Sequence, residues 1–141
     1  MRAFTTLKSK IIPLPMKDVD TDMIIPAQHL TQTNKEGYGE YLFSRLKAED
    51  AGFILNQEKY SDAKILVSGF NFGCGSSREH AVWALQQSGV DVVIAESFSD
   101  IFANNSAKNG LLLITQPKAQ IDQWTQEAET AICQLTVKKV T

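Results

Sequence analysis

Cysteine and histidine are scarce in this sequence, and the scarcity excludes several kinds of site. The two cysteines, Cys74 and Cys133, stand far apart, which excludes a disulfide-stapled secreted domain and favours a reducing cytoplasm. An iron–sulfur cluster normally takes three or four thiolates, more than this chain supplies. His29 and His80 have no companions at the spacing of a zinc site. We therefore expect both histidines at surface or helix-packing positions and no metal bound by this chain.

Long apolar runs and clustered basic residues are lacking as well. The apolar runs are too short to cross a bilayer, and the N-terminus has no signal-peptide core. The net charge is −2, and the only basic pair of note is Lys138-Lys139, which argues against a nucleic-acid partner. With 141 residues, 43% of them hydrophobic and 21% charged, the chain has the size and composition of one globular domain, residues 1–141.

The most informative stretch is residues 69–80, Gly-Phe-Asn-Phe-Gly-Cys-Gly-Ser-Ser-Arg-Glu-His. The apolar run 64–68 before it predicts a strand. Residues 76–79 fit a capping box, in which a serine and a glutamate cap the first turn of a helix. Small and apolar residues at helical spacing follow as far as Gly89, and the β-branched run 91–95 predicts a second strand. The segment therefore predicts a βαβ unit with a parallel strand pair.

The turn inside this unit combines groups that suit an anion. Backbone amides at a helix N-terminus carry partial positive charge, and Gly73 and Gly75 would let an anion approach closely. Arg78 adds a planar guanidinium that matches a carboxylate, and Ser76 and Ser77 add two hydroxyls. The turn thus predicts a carboxylate or phosphate site. A purely structural role, with the serines capping the helix and Arg78 paired to a surface acid, stays open.

Other glycine-rich motifs fit less well. A P-loop requires a lysine after its last glycine, and none follows Gly75. The Gly-x-Ser-x-Gly elbow of serine hydrolases is absent. A dinucleotide site could use Gly73, Gly75 and the acid Glu96, but Arg78 occupies the third glycine position and would block close helix packing. A non-catalytic nucleotide- or anion-binding module remains the alternative from a different functional class.

The remaining segments give weaker patterns. Residues 10–14 predict a strand at a sheet edge because of Pro13. Residues 100–109 predict a helix capped by Ser97 or Ser99, followed by a buried strand at 111–114, a helix after Pro117 and a half-exposed strand within 131–140. The acids Asp18, Asp20 and Asp22 alternate like calcium ligands, but Met23 and His29 stand where a calcium loop needs glycine and glutamate. We expect Asp18 and Asp20 to form side-chain-bonded turns.

Three stretches together resemble a known family. Residues 72–81 with 83–85, residues 18–26, and residues 97–112 resemble the swivelling domain of the aconitase family, in the form found in small subunits of isopropylmalate dehydratases. The resemblance implies an α/β fold: a single swivelling-type domain with a mixed, mostly parallel sheet and flanking helices. A mobile substrate-recognition loop is implied around residues 28–52.

The resemblance also implies a hydro-lyase that interconverts 2-isopropylmalate and 3-isopropylmalate in leucine biosynthesis. Such an enzyme works with a [4Fe–4S] cluster, and because this chain has too few thiolates, the cluster is expected in a large-subunit partner, with no cofactor bound here. Relatives that act on homoaconitate, citramalate or dimethylmalate are the alternatives within the family.

Residue roles follow from the matched motifs. The resemblance implies that Ser76 is the catalytic base, as its alkoxide, and that Ser77 and Arg78 bind a substrate carboxylate. It implies that Asp22 is catalytic, in a network with a histidine of the partner. Relatives place an arginine just ahead of a Gly-Tyr-Gly step, and here the nearest cation is Lys35.

The recognition loop has two interpretations. Its apolar residues are expected either to wall the site of the substrate's isopropyl group or to form a short amphipathic helix over residues 41–46. The candidate wall residues are Tyr38, Tyr41, Leu42 and Phe43.

Overall fold

The structure is a computed structural model that describes residues 6–29, 37–76, 78–130 and 134–138. Within these ranges the strands are β1 (Thr6–Leu14), β2 (Ile65–Ser68), β3 (Val92–Ala95), β4 (Leu112–Thr115) and β5 (Gln134–Lys138). The α-helices are α1 (Thr21–Ile24), α2 (Ser44–Glu49), α3 (Glu79–Gln87), α4 (Asp100–Asn109) and α5 (Lys118–Thr130). Short 3-10 turns occupy Ala27–His29, Gly39–Tyr41, Ile54–Asn56 and Glu58–Tyr60.

The strands form one sheet in the order β4-β3-β2-β1-β5. β1 to β4 run parallel to one another, and β5 pairs antiparallel with β1. Ile65 lies opposite Val92, and α3 connects their strands, which confirms the predicted βαβ unit. The sheet is mixed and mostly parallel, which confirms the fold that the family resemblance implies.

The edge position predicted for Pro13 is confirmed for its own half of β1 but not for the strand as a whole. β1 lies between β2 and β5 in the sheet. Its first part, Thr6 to Lys10, pairs with β5, and its last part, Ile11 to Leu14, pairs with β2. Proline is tolerated at position 13 because this part of the strand has a paired neighbour on one side only, so a missing N–H interrupts no second ladder.

Each face of the sheet has its own apolar core, because successive strand residues point to opposite faces. On one face the strands pack against α1, α3 and α4, and on the other against α5. The first core includes Ile12, Leu66, Val93, Ile24, Leu85 and Phe102. The second core includes Ile11, Ile65, Val92, Ile121 and Ala128.

The C-terminal half follows the predicted order with one difference. Ser99 caps α4 by accepting a hydrogen bond from the Phe102 amide, and Gly110 ends the helix with a φ of +78°. Thr136 of β5 is exposed while Val137 is buried, which confirms the predicted alternation. The strand predicted to be buried, β4, is only half-buried, because it stands at the edge of the sheet.

Candidate functional site

The glycine-rich turn leads into α3 two residues later than the sequence predicts, with Arg78 and not Ser76 at the N-cap. The helix begins at Glu79, and its N-cap residue Arg78 makes no side-chain capping bond, so the prediction of a capping box at residues 76–79 is wrong. The reason is a contact with α1: the Thr21 amide donates to the Cys74 carbonyl at 2.8 Å, and Thr21 Oγ1 donates to the Ser76 carbonyl at 3.0 Å. These bonds hold the backbone around Cys74 and Ser76 against α1 and out of the helix.

Gly73 serves packing and not anion binding. Its φ is +83°, and a Cβ at this position would overlap the ring of Phe102. Its amide donates to the Val19 carbonyl at 2.7 Å, so it is already used within the chain. The expectation that an anion approaches the Gly73 amide is therefore wrong. Gly75 has a φ of +97° and stands exposed at the surface.

The acids before α1 build the local fold. The Asp20 carboxylate caps α1 by accepting from the Met23 amide at 2.7 Å. Asp18 accepts from the Asn71 side chain at 3.0 Å and so ties its loop to the glycine-rich turn. The predicted local turn is confirmed for Asp20, whereas Asp18 bonds across to a distant segment. No group of three potential metal ligands occurs in the part of the chain that the structure describes.

Asp22 lies between two guanidinium groups. Its Oδ1 accepts from Arg78 Nη1 at 3.2 Å and from the Ala27 amide at 3.2 Å, and its Oδ2 accepts from Arg45 Nη2 at 2.8 Å. Arg78 Nη1 also donates to the Ile25 carbonyl at 3.3 Å. The hydrogen bond from Arg45, with smaller contributions from Arg78 and the Ala27 amide, lowers the pKa of the Asp22 carboxyl despite the opposing effect of its burial. The structure thus joins Asp22 and Arg78, two of the predicted site residues.

Side-chain exposure decreases from Arg45 through Asp22 to Arg78. The side chain of Arg45 is 50% exposed, that of Asp22 is 38% exposed and that of Arg78 is 18% exposed. Arg45 and Ser44 also border a surface cavity of about 340 Å³ that reaches Pro26. The cluster therefore stands at the rim of an open surface, with Arg78 as its inner member.

Ser76 lies two residues from Arg78 and is exposed. Its carbonyl is bound by Thr21, the neighbour of Asp22, so its backbone is attached to the same cluster. Because Ser76 is exposed, the described residues do not enclose it in the amide-lined crevice that an alkoxide would need. Ser77 and Lys35, the other predicted substrate-binding residues, lie outside the described residues.

The predicted apolar walls of the recognition loop are wrong for three of the four residues. Tyr38, Leu42 and Phe43 are buried in the first apolar core, where they cannot face a substrate at the surface. The helical alternative is closer to the structure: a 3-10 turn at Gly39–Tyr41 precedes α2. Residues 30–36 of the loop lie outside the described residues.

His80 and Cys74 have environments that argue against reactive roles. The His80 ring packs edge-on against Tyr38 and Trp83, with ring centroids 5.2 and 4.9 Å away, which confirms a helix-packing position. Burial lowers the pKa of His80 and so favours its neutral form. Burial, followed by the charges of Asp18 and Asp20, raises the pKa of Cys74. A thiol with a raised pKa is a poor nucleophile at neutral pH.

Arg45 is the site residue that sequence reasoning missed. It stands 23 positions from Asp22 and carries no motif. The available signal was weak: an arginine within the loop expected to reach the substrate.

Among the described helices, none has the length and apolarity required to span a membrane.

Comparison with known proteins gives consistent results. Residues 1–119 match the family model for the aconitase C-terminal domain. The 3-isopropylmalate dehydratase small subunit of Francisella philomiragia is 58% identical over 137 residues, which cover 97% of this chain and 72% of that protein. The corresponding small subunit of Roseobacter denitrificans is 50% identical over 134 residues, covering 92% and 67%.

A solved structure supports the same conclusion. The 3-isopropylmalate dehydratase of Methanocaldococcus jannaschii superimposes with a TM-score of 0.66 at 29% identity, covering 96% of this chain and 84% of that one. The fold, the motif order and the shared length thus agree, and the chain belongs to the aconitase C-terminal domain family, among the small subunits of 3-isopropylmalate dehydratases.

Proposed function

We propose that this chain works as the small subunit of a cytoplasmic 3-isopropylmalate dehydratase, which interconverts 2-isopropylmalate and 3-isopropylmalate in leucine biosynthesis. The observation that carries the proposal is the junction of Asp22 and Arg78 next to Ser76. A guanidinium, a carboxylate and a serine hydroxyl at one exposed rim suit a dicarboxylate that must lose a proton from carbon.

Arg78 is assigned to a substrate carboxylate. Within the described part of the chain, both of its hydrogen bonds come from Nη1. The Nη2 and Nε donors are left to form the bidentate pair that a carboxylate prefers. A bound carboxylate would place its adjacent carbon close to the Ser76 segment. Ser77 and Lys35 are assigned to the same substrate by resemblance alone.

Ser76 is assigned the role of base. Loss of a proton from one carbon to Ser76 Oγ and of the hydroxyl from its neighbour leaves an alkene, and water returns with its hydroxyl on the other carbon. A helix terminus contributes at most about 2 kcal/mol, and one pKa unit corresponds to about 1.4 kcal/mol, so a helix end cannot ionise serine alone. The exposed position of Ser76 means that the exclusion of water has to come from a surface that covers it.

That surface is assigned to the large subunit. The described residues contain no set of metal ligands, and the chain has only two cysteines, so its residues do not fit an iron–sulfur cluster. The proposal therefore places the [4Fe–4S] cluster in the large subunit and the Ser76–Arg78 rim at the contact between the subunits. Residues 28–52 are proposed as the loop that adapts to the substrate side chain.

The test is reconstitution with a large subunit. The chain should co-purify with a 3-isopropylmalate dehydratase large subunit, and the complex should generate alkene absorbance from 3-isopropylmalate, whereas the chain alone should not. Turnover by the isolated chain, or an inactive complex with an intact cluster, would refute the proposal. Binding of NAD or nucleoside phosphates by the isolated chain would favour the nucleotide-binding alternative.

The role of Ser76 is tested by Ser76→Ala. Loss of a base typically lowers turnover by about 10²–10⁴-fold, while an exposed substitution changes stability by only about 0.5 kcal/mol. Ser61→Ala is the matched control because Ser61 is also exposed but lies in a different loop. Near-normal turnover of the Ser76→Ala complex would remove Ser76 from the mechanism.

A further inference from the structure

Arg45 is a charged partner of Asp22 whose position is fixed by packing. It lies on α2, which begins directly after Phe43. The Phe43 side chain is fully buried, its backbone takes a left-handed φ of +51°, and its amide donates to the Ile24 carbonyl at 2.8 Å. Because Ile24 and Asp22 belong to the same short helix, this docking brings Arg45 to Asp22.

The two oxygens of Asp22 are divided between the two arginines. Arg45 holds Oδ2 at 2.8 Å, and Arg78 receives only Oδ1, at 3.2 Å. A carboxylate free of Arg45 could turn both oxygens to Arg78 in the bidentate geometry that this pair favours. Asp22 would then occupy the guanidinium N–H donors of Arg78 that a bound substrate carboxylate requires.

The charge balance leads to the same conclusion. Two guanidinium groups face one carboxylate, so the cluster keeps one excess positive charge toward an incoming anion. Without Arg45, Asp22 and Arg78 would form a neutral pair. The attraction for a substrate carboxylate would then be weaker although every group that contacts the substrate is still present.

We propose that Arg45 is a positioning residue: by holding Asp22, it leaves Arg78 free to bind a substrate carboxylate. This inference rests on the proposed function, in which Arg78 binds the substrate. Arg45 acts through Asp22 and makes no contact with substrate itself.

The test compares kcat and KM of reconstituted complexes. Arg45→Ala should raise KM for 3-isopropylmalate about tenfold, the loss that corresponds to one charge-assisted hydrogen bond, while kcat stays within about threefold of the parent value. Arg45→Lys should recover part of the loss, since a point charge remains. Lys47→Ala is the matched control, because it removes a cation from the same helix without touching Asp22. Its KM should not change.

Complexes with Asp22→Asn show whether the rise of KM caused by Arg45→Ala depends on Asp22. In complexes that already carry Asp22→Asn, adding Arg45→Ala should raise KM clearly less than in the parent background, because the competing carboxylate is gone and only the long-range attraction of one half-exposed guanidinium is lost. An equal rise of KM in both backgrounds would mean that Arg45 binds substrate directly and would overturn the proposal. An unchanged KM of Arg45→Ala in the parent background would overturn it as well.

Failure of this inference can be told from failure of the proposed function. The parent complex must first be shown to convert 3-isopropylmalate. The Arg45 variants are compared only after that activity is established. An inactive parent complex counts against the proposed function. An active parent complex with an unaltered KM in Arg45→Ala counts against the role of Arg45 alone.

Discussion

Thr21 donates a hydrogen bond from Oγ1 to the carbonyl oxygen of Ser76 across 55 positions of the sequence. The threonine is buried, and its amide makes a second bond to the Cys74 carbonyl at 2.8 Å. Because Asp22 follows Thr21 directly, the pair fixes the distance between the segment that carries Asp22 and the segment that carries the candidate base Ser76.

Thr21→Val should therefore affect both stability and turnover. Valine has nearly the same shape but no hydroxyl, and it leaves the Ser76 carbonyl without its buried partner. We expect the free energy of unfolding to fall by about 1 kcal/mol and turnover of the complex to fall several-fold. Urea unfolding and steady-state rates measure the two effects. Thr21→Ser keeps the hydroxyl and should retain most of the turnover; a Thr21→Val complex with parental rates would show that the bond does not position Ser76.

Alanine substitutions at Gly73 and Gly89 separate the effect of packing against Phe102 from the effect of backbone strain. Both have positive φ, +83° and +106°, but an added Cβ would meet Phe102 at Gly73 and nothing within 4 Å at Gly89. Gly89→Ala should cost about 1–2 kcal/mol through left-handed strain. Gly73→Ala should cost about 1–3 kcal/mol more through overpacking. Chemical denaturation compares them, and equal losses would mean that Phe102 moves aside freely.

The Asp22 carboxyl should make stability depend on pH at the acid end. Arg45 holds its folded pKa below the ordinary value of 3.8, so the unfolded chain binds this proton more readily. The stabilisation is complete above about pH 4 and is lost as the pH falls through the lower folded pKa. At pH 7, Asp22→Asn should be less stable than the parent by up to about 1 kcal/mol, since the pair is partly exposed. The deficit should shrink toward about pH 3, and a deficit that stays constant would contradict this account.

His80 should add a second pH dependence near neutrality. Burial against Tyr38 and Trp83 lowers its folded pKa, while the unfolded chain takes up the proton at about pH 6.5. Stability should therefore be greatest above about pH 6.5 and decline as the pH falls from there through the folded pKa. His80→Gln removes the titrating group and should flatten the profile between about pH 7 and pH 5. A flat profile in the parent chain would contradict the prediction.

Local signals predicted the elements whose boundaries are decided within one turn. Ser99 caps α4, and Gly110 and Gly89 end their helices in left-handed conformations, because a cap or a positive φ depends on a few neighbouring residues. The predicted start of α3 was wrong because it depends on a contact that is not local. The hydroxyl of Thr21, far away in sequence, holds the backbone at Ser76 outside the helix, and a capping pattern contains no information about such a contact.

At the candidate site as well, local features could be predicted and long-range contacts could not. Arg78 was predicted from the glycine-rich turn and Asp22 from the resemblance to a family, and the structure adds that they contact each other. Arg45 could not be found from sequence, since its approach to Asp22 depends on the burial and left-handed backbone of Phe43. Tyr38 and Leu42 were misplaced because apolar residues in a glycine-containing loop suit a ligand pocket and a core equally well.

The split pairing of β1 has a consequence for the order in which the sheet can close. Strand β2 can pair with residues 11–14 directly, whereas residues 6–10 have to wait for β5, their antiparallel partner. A folding intermediate in which β1 to β4 are paired and β5 is not would join the segments of Asp22 and Ser76 but expose residues 6–10 as a free strand edge. Such an edge is a template for pairing with another chain, so conditions that weaken the pairing of β5 should favour aggregation over loss of the site.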